Sequence, residues 1–357
     1  MADPGTDEHG AIESRNGLPQ ALRQLGIGME RIAAPVSDLG VTPKETIFAH
    51  QTLRLHHYRP QSKEVYRVPV LIVTSLVNQP YILDLAPGQS MVEYLLRAGF
   101  DVYMIEWGRP RREHADLRLE DYVLERLPLC IEKVAEDSGE PDVSIVGYCV
   151  GGLLSAMYAA LHLDGPLKNL VCMAAPANSD GLESLKKWME SHFDEKLLVE
   201  MYGNVPADLV QNTLRMLRPF GRFAGFMSLL GNLDKEEFVT SNARFAKWES
   251  DNIPFPAAAF VQMVNDFLRG NKLVRNEWAL GGRTIELGRI RVPFLHLLAD
   301  QDHITPYAAS KDLLRLVGSA DKGEIVLKGG HVGLVAGRGA VKQMWPALEK
   351  WLATRSV

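Results

Sequence analysis

Short β-branched, apolar runs recur along the chain, and most are followed by a stretch in which apolar residues return every three or four positions. The runs fall at residues 70–75, 101–107, 143–148, 169–174, 293–299 and 324–328, with helical patterns at 91–98, 119–136, 152–163, 307–317 and 340–352. Strand-sized runs alternating with amphipathic helices predict parallel βαβ units, hence an α/β fold with a mostly parallel central sheet flanked by helices. Residues 52–59 instead alternate apolar and polar positions, which predicts an antiparallel strand at the sheet edge.

The alternation stops between Ala175 and Val292. About 115 residues there read as mainly helical, too long for a plain loop in a compact domain, and are expected to form a structured cap over the active site. The expected organisation is therefore an N-terminal tail and helix (1–40), a first part of the core (41–175), a cap subdomain (176–292) and a second part of the core (293–357).

Composition changes this picture little. Of 357 residues, 46% are apolar and 23% charged, ordinary values for a chain that buries its own core. The longest apolar runs, such as residues 70–77, are shorter than the roughly 20 residues a membrane-spanning helix needs, so no transmembrane segment is expected. The first residues carry Pro, Gly and acidic groups and no apolar signal-like stretch, which points to a disordered tail and a cytoplasmic location. A formal charge of −5 without a dense basic run argues against a nucleic-acid partner. Arg109, Arg111 and Arg112 read as solvated surface rather than a phosphate contact. The three cysteines, Cys130, Cys149 and Cys172, have no metal-ligand spacing and suit a reducing compartment. Neither a metal nor a cofactor is expected.

The chemistry concentrates at Gly147-x-Cys149-x-Gly151, between a predicted strand and a predicted helix. In a nucleophile elbow the reactive residue occupies a strained strand-to-helix turn, and the flanking glycines let neighbouring backbone pass without a Cβ clash. Cys149 stands at the apex. The helix N-terminus beneath it favours negative charge on sulfur, and the Val150 amide would supply half of an oxyanion hole. Cys130 and Cys172 lie inside helix and strand patterns and read as structural.

A thiol nucleophile needs a base and a group to orient it. The strand at 293–299 leads into Asp300-Gln-Asp302-His-Ile-Thr-Pro306, and the strand at 324–328 leads into Gly329-Gly-His331. The order nucleophile, acid, histidine is that of the α/β-hydrolase fold, with His331 as base and Asp302 as its orienter. Asp300, two residues earlier, is the competing carboxylate. His303 is a candidate auxiliary base, whereas His56 and His57 read as bystanders. The segment after the first parallel strand, Thr74-Ser-Leu-Val-Asn-Gln-Pro-Tyr81, should carry the second oxyanion donor, for which Val77 is the choice.

Several runs together resemble the polyhydroxyalkanoate synthases: Leu76-Val-Asn-Gln-Pro-Tyr-Ile-Leu-Asp-Leu85, Gly147-Tyr-Cys-Val-Gly-Gly152, Lys247-Trp-Glu-Ser-Asp251, Asn271-Lys-Leu273, Asp302-His-Ile304 and Gly330-His331. The resemblance extends from about Gly40 to the C-terminus. It implies an acyltransferase that polymerises (R)-3-hydroxyacyl-CoA, chiefly 3-hydroxybutyryl-CoA, into polyester with release of CoA, with Cys149, Asp302 and His331 on the family's triad. The short N-terminal region resembles classes III and IV, and elements such as Thr42-Pro-Lys44 and Leu119-Glu-Asp-Tyr122 occur in both. These classes require an accessory subunit, so a homodimer or hetero-oligomer at the polyester granule surface is implied.

Transfer of an acyl group from CoA to cysteine exchanges one thioester for another and leaves a donor still reactive towards an alcohol. The residues alone leave open whether one cysteine or two, on paired subunits, carry the chain. They also admit a cysteine hydrolase on the same fold, such as an intracellular polyester depolymerase or a dienelactone-hydrolase-like enzyme, and an inactive granule-surface protein.

Overall fold

A computed structural model of the protein describes residues 36–191, 193–217 and 221–357. The tail and helix expected over residues 1–40 therefore lie, up to residue 35, outside the described residues. Among those described, eight strands form one sheet: β1 (Lys44–His50), β2 (Leu53–Tyr58), β3 (Val70–Val73), β4 (Val102–Glu106), β5 (Val143–Tyr148), β6 (Leu167–Met173), β7 (Phe294–Ala299) and β8 (Lys322–Leu327). Their order across the sheet is β1-β2-β4-β3-β5-β6-β7-β8. β4 to β8, with β3 among them, run parallel, and β2 is antiparallel to both β1 and β4. This is the α/β-hydrolase arrangement that the sequence predicts.

Every residue of β3, β5 and β7 is buried. Helices cover both faces of a parallel sheet, so its central strands read as continuous apolar runs and are easily found. One expectation needs correction. The strand at 52–59 is antiparallel, but it is not the edge, because β1 lies outside it. No residue of β1 is fully buried, and its sequence, KETIFAH, lacks the apolar alternation that reveals a half-buried strand.

Between β6 and β7 the chain forms helices at Glu183–Ser191, Glu195–Tyr202, Ala207–Met216, Gly221–Leu230, Glu236–Ser250 and Ala257–Gln262. Residues 38–217 and 251–357 make one compact unit, and residues 218–250 fall outside it. The two flanks of the insertion pair with each other, Val205 with Phe255, and are tied to the sheet region where the amides of Ala258 and Ala259 donate to the carbonyls of Ala115 and Leu117. The compact division therefore falls inside the expected cap, not at its ends.

At the rim of the sheet Asp84 is almost completely buried, and burial pushes its carboxyl above the ordinary range. The hydroxyls of Thr42 and Ser90 both donate to its Oδ1, the latter at 2.7 Å, and Lys44 lies 3.8 Å from Oδ2. Ser90 also caps the helix Met91–Arg97 by accepting from the Glu93 amide at 2.9 Å. Ser90→Ala removes a cap and a buried donor together and is expected to cost about 1–3 kcal/mol. Urea unfolding measures this, and Ser90→Thr, which keeps both bonds, is expected to recover most of the loss.

Candidate active site

The parallel strands deliver their C-terminal ends to one edge of the sheet, where ligands of open α/β folds bind. β5 leads directly into Cys149, which caps the helix Val150–Leu161 with φ +56° and ψ −123°. Its amide donates to the Met173 carbonyl at 2.8 Å, and its carbonyl accepts from Gly152 and Leu153 at 3.0 and 3.2 Å. The turn is thus held on both sides of a backbone conformation that side-chain-bearing residues rarely adopt.

Close packing explains the glycines. A Cβ on Gly151 would lie 2.2 Å from the Val73 carbonyl oxygen and 2.6 Å from that of Thr74. On Gly147 it would lie 2.6 Å from the Cα of Gly152, and on Gly152 2.8 Å from the Cβ of Ala175. Thr74 is itself immobilised, its hydroxyl donating to the Ile105 carbonyl at 3.0 Å and its carbonyl accepting from the Trp107 indole at 2.9 Å.

β7 and β8 bring in the other two groups. His331 Nδ1 lies 2.7 Å from Asp302 Oδ2, and both side chains are buried. The other carboxylate oxygen, Oδ1, accepts from the amides of Ile304 and Thr305 at 2.9 and 2.7 Å. One oxygen therefore fixes the loop and the other fixes the imidazole. Donation from Nδ1 to the carboxylate leaves Nε2 free to face Cys149, whose side chain is close enough to influence the proton affinity of His331. Asp300 serves a different end: its Oδ1 accepts from the Gly329 amide at 3.0 Å and shapes the histidine loop. Of the two competing carboxylates, Asp302 is the one on the imidazole.

Burial alone would lower the proton affinity of His331. The neighbouring Cys149 and the hydrogen-bonded carboxylate of Asp302 outweigh it and raise the pKa to about 10, from an ordinary 6.5. Cys149 is partly exposed, whereas Cys130 and Cys172 are buried. Burial pushes the Cys130 thiol up to about 12 and that of Cys172 higher still. The chemically available sulfur is the one beside the imidazole.

The remaining candidates are placed as follows. Val150 is the first residue of its helix, so its amide is among those with no intrahelical acceptor. Val77 is 8% exposed and its carbonyl accepts from Ile253 at 3.0 Å. His303 is exposed in the loop beside Asp302. His56 lies 2.8 Å from Glu106, and His57 lies 2.8 Å from both Asp101 and Asp137, so both are engaged by carboxylates in the antiparallel part of the sheet. Arg109 is engaged with the chain itself, donating to the carbonyls of Asp251 and Asn252.

Sequence reasoning does not reach Tyr148. Its ring centroid is 5.0 Å from that of His331, and its hydroxyl donates to the His331 carbonyl at 3.2 Å. Its place next to Cys149 was the only available signal, and nothing in one sequence says where its ring points.

A thiol at the elbow of an α/β-hydrolase sheet, beside a carboxylate-bound imidazole, defines a class of protein. A model of the alpha/beta hydrolase fold matches residues 68–337. Among solved structures, a carboxyl esterase from Bacillus coagulans is similar at 15% identity with a TM-score of 0.58, covering 88% of this chain and 99% of that one. A bromoperoxidase from Bacillus anthracis is similar at 14% identity with a TM-score of 0.51, covering 87% and 99%. At such identities the likeness is one of fold.

Sequence narrows the class. A model of the poly-beta-hydroxybutyrate polymerase (PhaC) N-terminus matches residues 33–95. The poly(3-hydroxyalkanoate) polymerase subunit PhaC of Allochromatium vinosum is 36% identical over 340 residues, 93% of this chain and 95% of that protein. The protein of the same name from Haloferax mediterranei is 37% identical over 321 residues, and the aligned region covers 89% of this chain and 65% of that longer protein. The chain belongs to the poly(3-hydroxyalkanoate) polymerase PhaC family, whose members are acyltransferases.

Two outcomes follow from the geometry. Gly151→Ala drives a methyl group into two backbone carbonyls and is expected to lower unfolding stability by about 2 kcal/mol or more, read by urea titration. Because the folded pKa of His331 is raised, its contribution to stability is complete below pH 6.5 and is lost as pH rises through about 10. Asp302→Asn removes the carboxylate charge, so the His331 imidazole resonances, followed by NMR, are expected to titrate at lower pH than in the parent. An unchanged midpoint would mean that the carboxylate does not hold the imidazolium.

Proposed function

We propose that the protein polymerises (R)-3-hydroxyacyl-CoA, chiefly 3-hydroxybutyryl-CoA, through an acyl-cysteine intermediate on Cys149. The observation that carries this reading is the Asp302-bound imidazole of His331, influenced by Cys149 at the elbow, in a chain of the PhaC family. His331 takes the thiol proton, sulfur attacks the thioester carbonyl, and the C–S bond to CoA breaks. The leaving thiolate receives the proton from His331 and departs as free CoA. The 3-hydroxyl of the next monomer or of the growing chain then gives its proton to His331, and its oxygen attacks the acyl-cysteine. The new ester forms as sulfur leaves, and the proton returns to it. His303 is the candidate to assist the second proton transfer.

The amides of Val150 and Val77 are the proposed donors to the oxyanion formed in both steps. The insertion between β6 and β7 has the proposed task of keeping water from the acyl-enzyme, where hydrolysis would compete with chain growth. The matched relatives are named as polymerase subunits, which supports an accessory partner in a homodimeric or hetero-oligomeric enzyme at the surface of cytoplasmic polyester granules.

Purified protein, with and without candidate accessory subunits, is given 3-hydroxybutyryl-CoA while free CoA and insoluble polyester are followed together. CoA release matched by polyester is expected. Release matched by free 3-hydroxybutyrate would instead assign a hydrolase. Cys149→Ala is expected to lower CoA release by about a thousandfold or more.

A further inference from the structure

An oxyanion donor supplied by the main chain has no side chain of its own to lock it, so its aim depends on what immobilises the peptide planes around it. In the segment after β3 that immobilisation comes from residues far away in the chain. The Ile253 amide donates to the Val77 carbonyl at 3.0 Å. Asn78 Nδ2 donates to Asn252 Oδ1 at 2.7 Å, and the Tyr81 hydroxyl donates to Asp251 Oδ2 at 2.8 Å. Three successive residues, Asp251, Asn252 and Ile253, thus each hold one point of the same loop. Arg109, just beyond β4, ties down the holder in turn, its guanidinium donating to the carbonyls of Asp251 and Asn252 at 3.2 Å each. Asn252 and Ile253 are buried, so water does not compete freely for these bonds.

Asn78 and Asp251 both lie in sequence runs that the triad leaves without a role. The geometry points to residues 251–253, backed by Arg109, as a brace that sets the orientation of the Val77 amide at the acyl-transfer site. These are positioning residues and touch no substrate. The inference rests on the acyl-cysteine reading above.

A brace of this kind acts on the transition state and leaves substrate binding nearly alone, which separates it from a merely structural contact. The full-length chain, with its accessory subunit where one is required, is mixed with 3-hydroxybutyryl-CoA in a rapid-quench instrument, and first-turnover CoA release is measured across substrate concentration. Asn252→Leu and Asn78→Leu are each expected to slow maximal acylation about tenfold with half-saturation changed less than about twofold. The double variant is expected to be no slower than the slower single, since both remove one bond. Tyr81→Phe, which deletes a hydroxyl without disturbing packing, is expected to give a smaller fall of the same kind, about threefold.

The brace is overturned if these variants acylate at the parental rate, if they shift half-saturation and leave the maximal rate alone, or if the two single losses multiply in the double variant. Absence of a CoA burst in the parent chain would sink the acyl-cysteine reading and the brace with it. A parental burst with indifferent variants would sink the brace alone.

Discussion

Holding Cys149 at φ +56° places a residue with a side chain where L-amino acids are strained, at a cost of about 1–3 kcal/mol. The turn persists because the backbone around it is held on every side. β5 is hydrogen-bonded between β3 and β6, the Cys149 amide is bound by the Met173 carbonyl, and the following helix packs so tightly on β3 that Gly151 has no room for a methyl group. This contact fixes the height of the sulfur above the sheet. It also sets the helix N-terminus beneath that sulfur, so one steric constraint governs both the location and the electrostatic surroundings of the proposed nucleophile.

The partners of the thiol are positioned by the same logic of shared backbone. Asp302 divides its two oxygens between the amides of its own loop and the imidazole, so the carboxylate cannot turn without breaking the loop. Tyr148 adds a second tether, reaching from the residue before the nucleophile to the carbonyl and ring of His331. Nucleophile elbow and base are thereby linked through one side chain. In the proposed acyl transfer this rigidity matters because the imidazole would serve the thiol, the departing CoA and the incoming hydroxyl without being repositioned between steps.

What could be read from the residues follows from how each feature is encoded. Buried parallel strands announce themselves as apolar runs, and the elbow and the histidine loop are marked by glycines, so β3 to β8, Cys149 and His331 were all legible. β1 was not, because an edge strand with no fully buried residue carries no alternation. The choice between Asp300 and Asp302 depends on which carboxylate faces the imidazole, a matter of two residues in a loop, and only coordinates settle it. The contacts of Tyr81, Asn78 and Val77 with residues 251–253 join segments about 170 positions apart, and nothing local to either segment reveals its partner. The division inside the insertion was hidden likewise, since one helical pattern looks like another until main-chain bonds show which helices the sheet unit claims.

Trapping the acyl-enzyme tests the central claim most directly. The protein is mixed with 3-hydroxybutyryl-CoA, quenched in acid within one turnover, digested and mapped by mass spectrometry. A hydroxybutyryl adduct on the peptide containing Cys149, absent in Cys149→Ala and strongly reduced in His331→Gln, is the expected result. An adduct on another residue, or an unaltered yield in His331→Gln, would contradict the account.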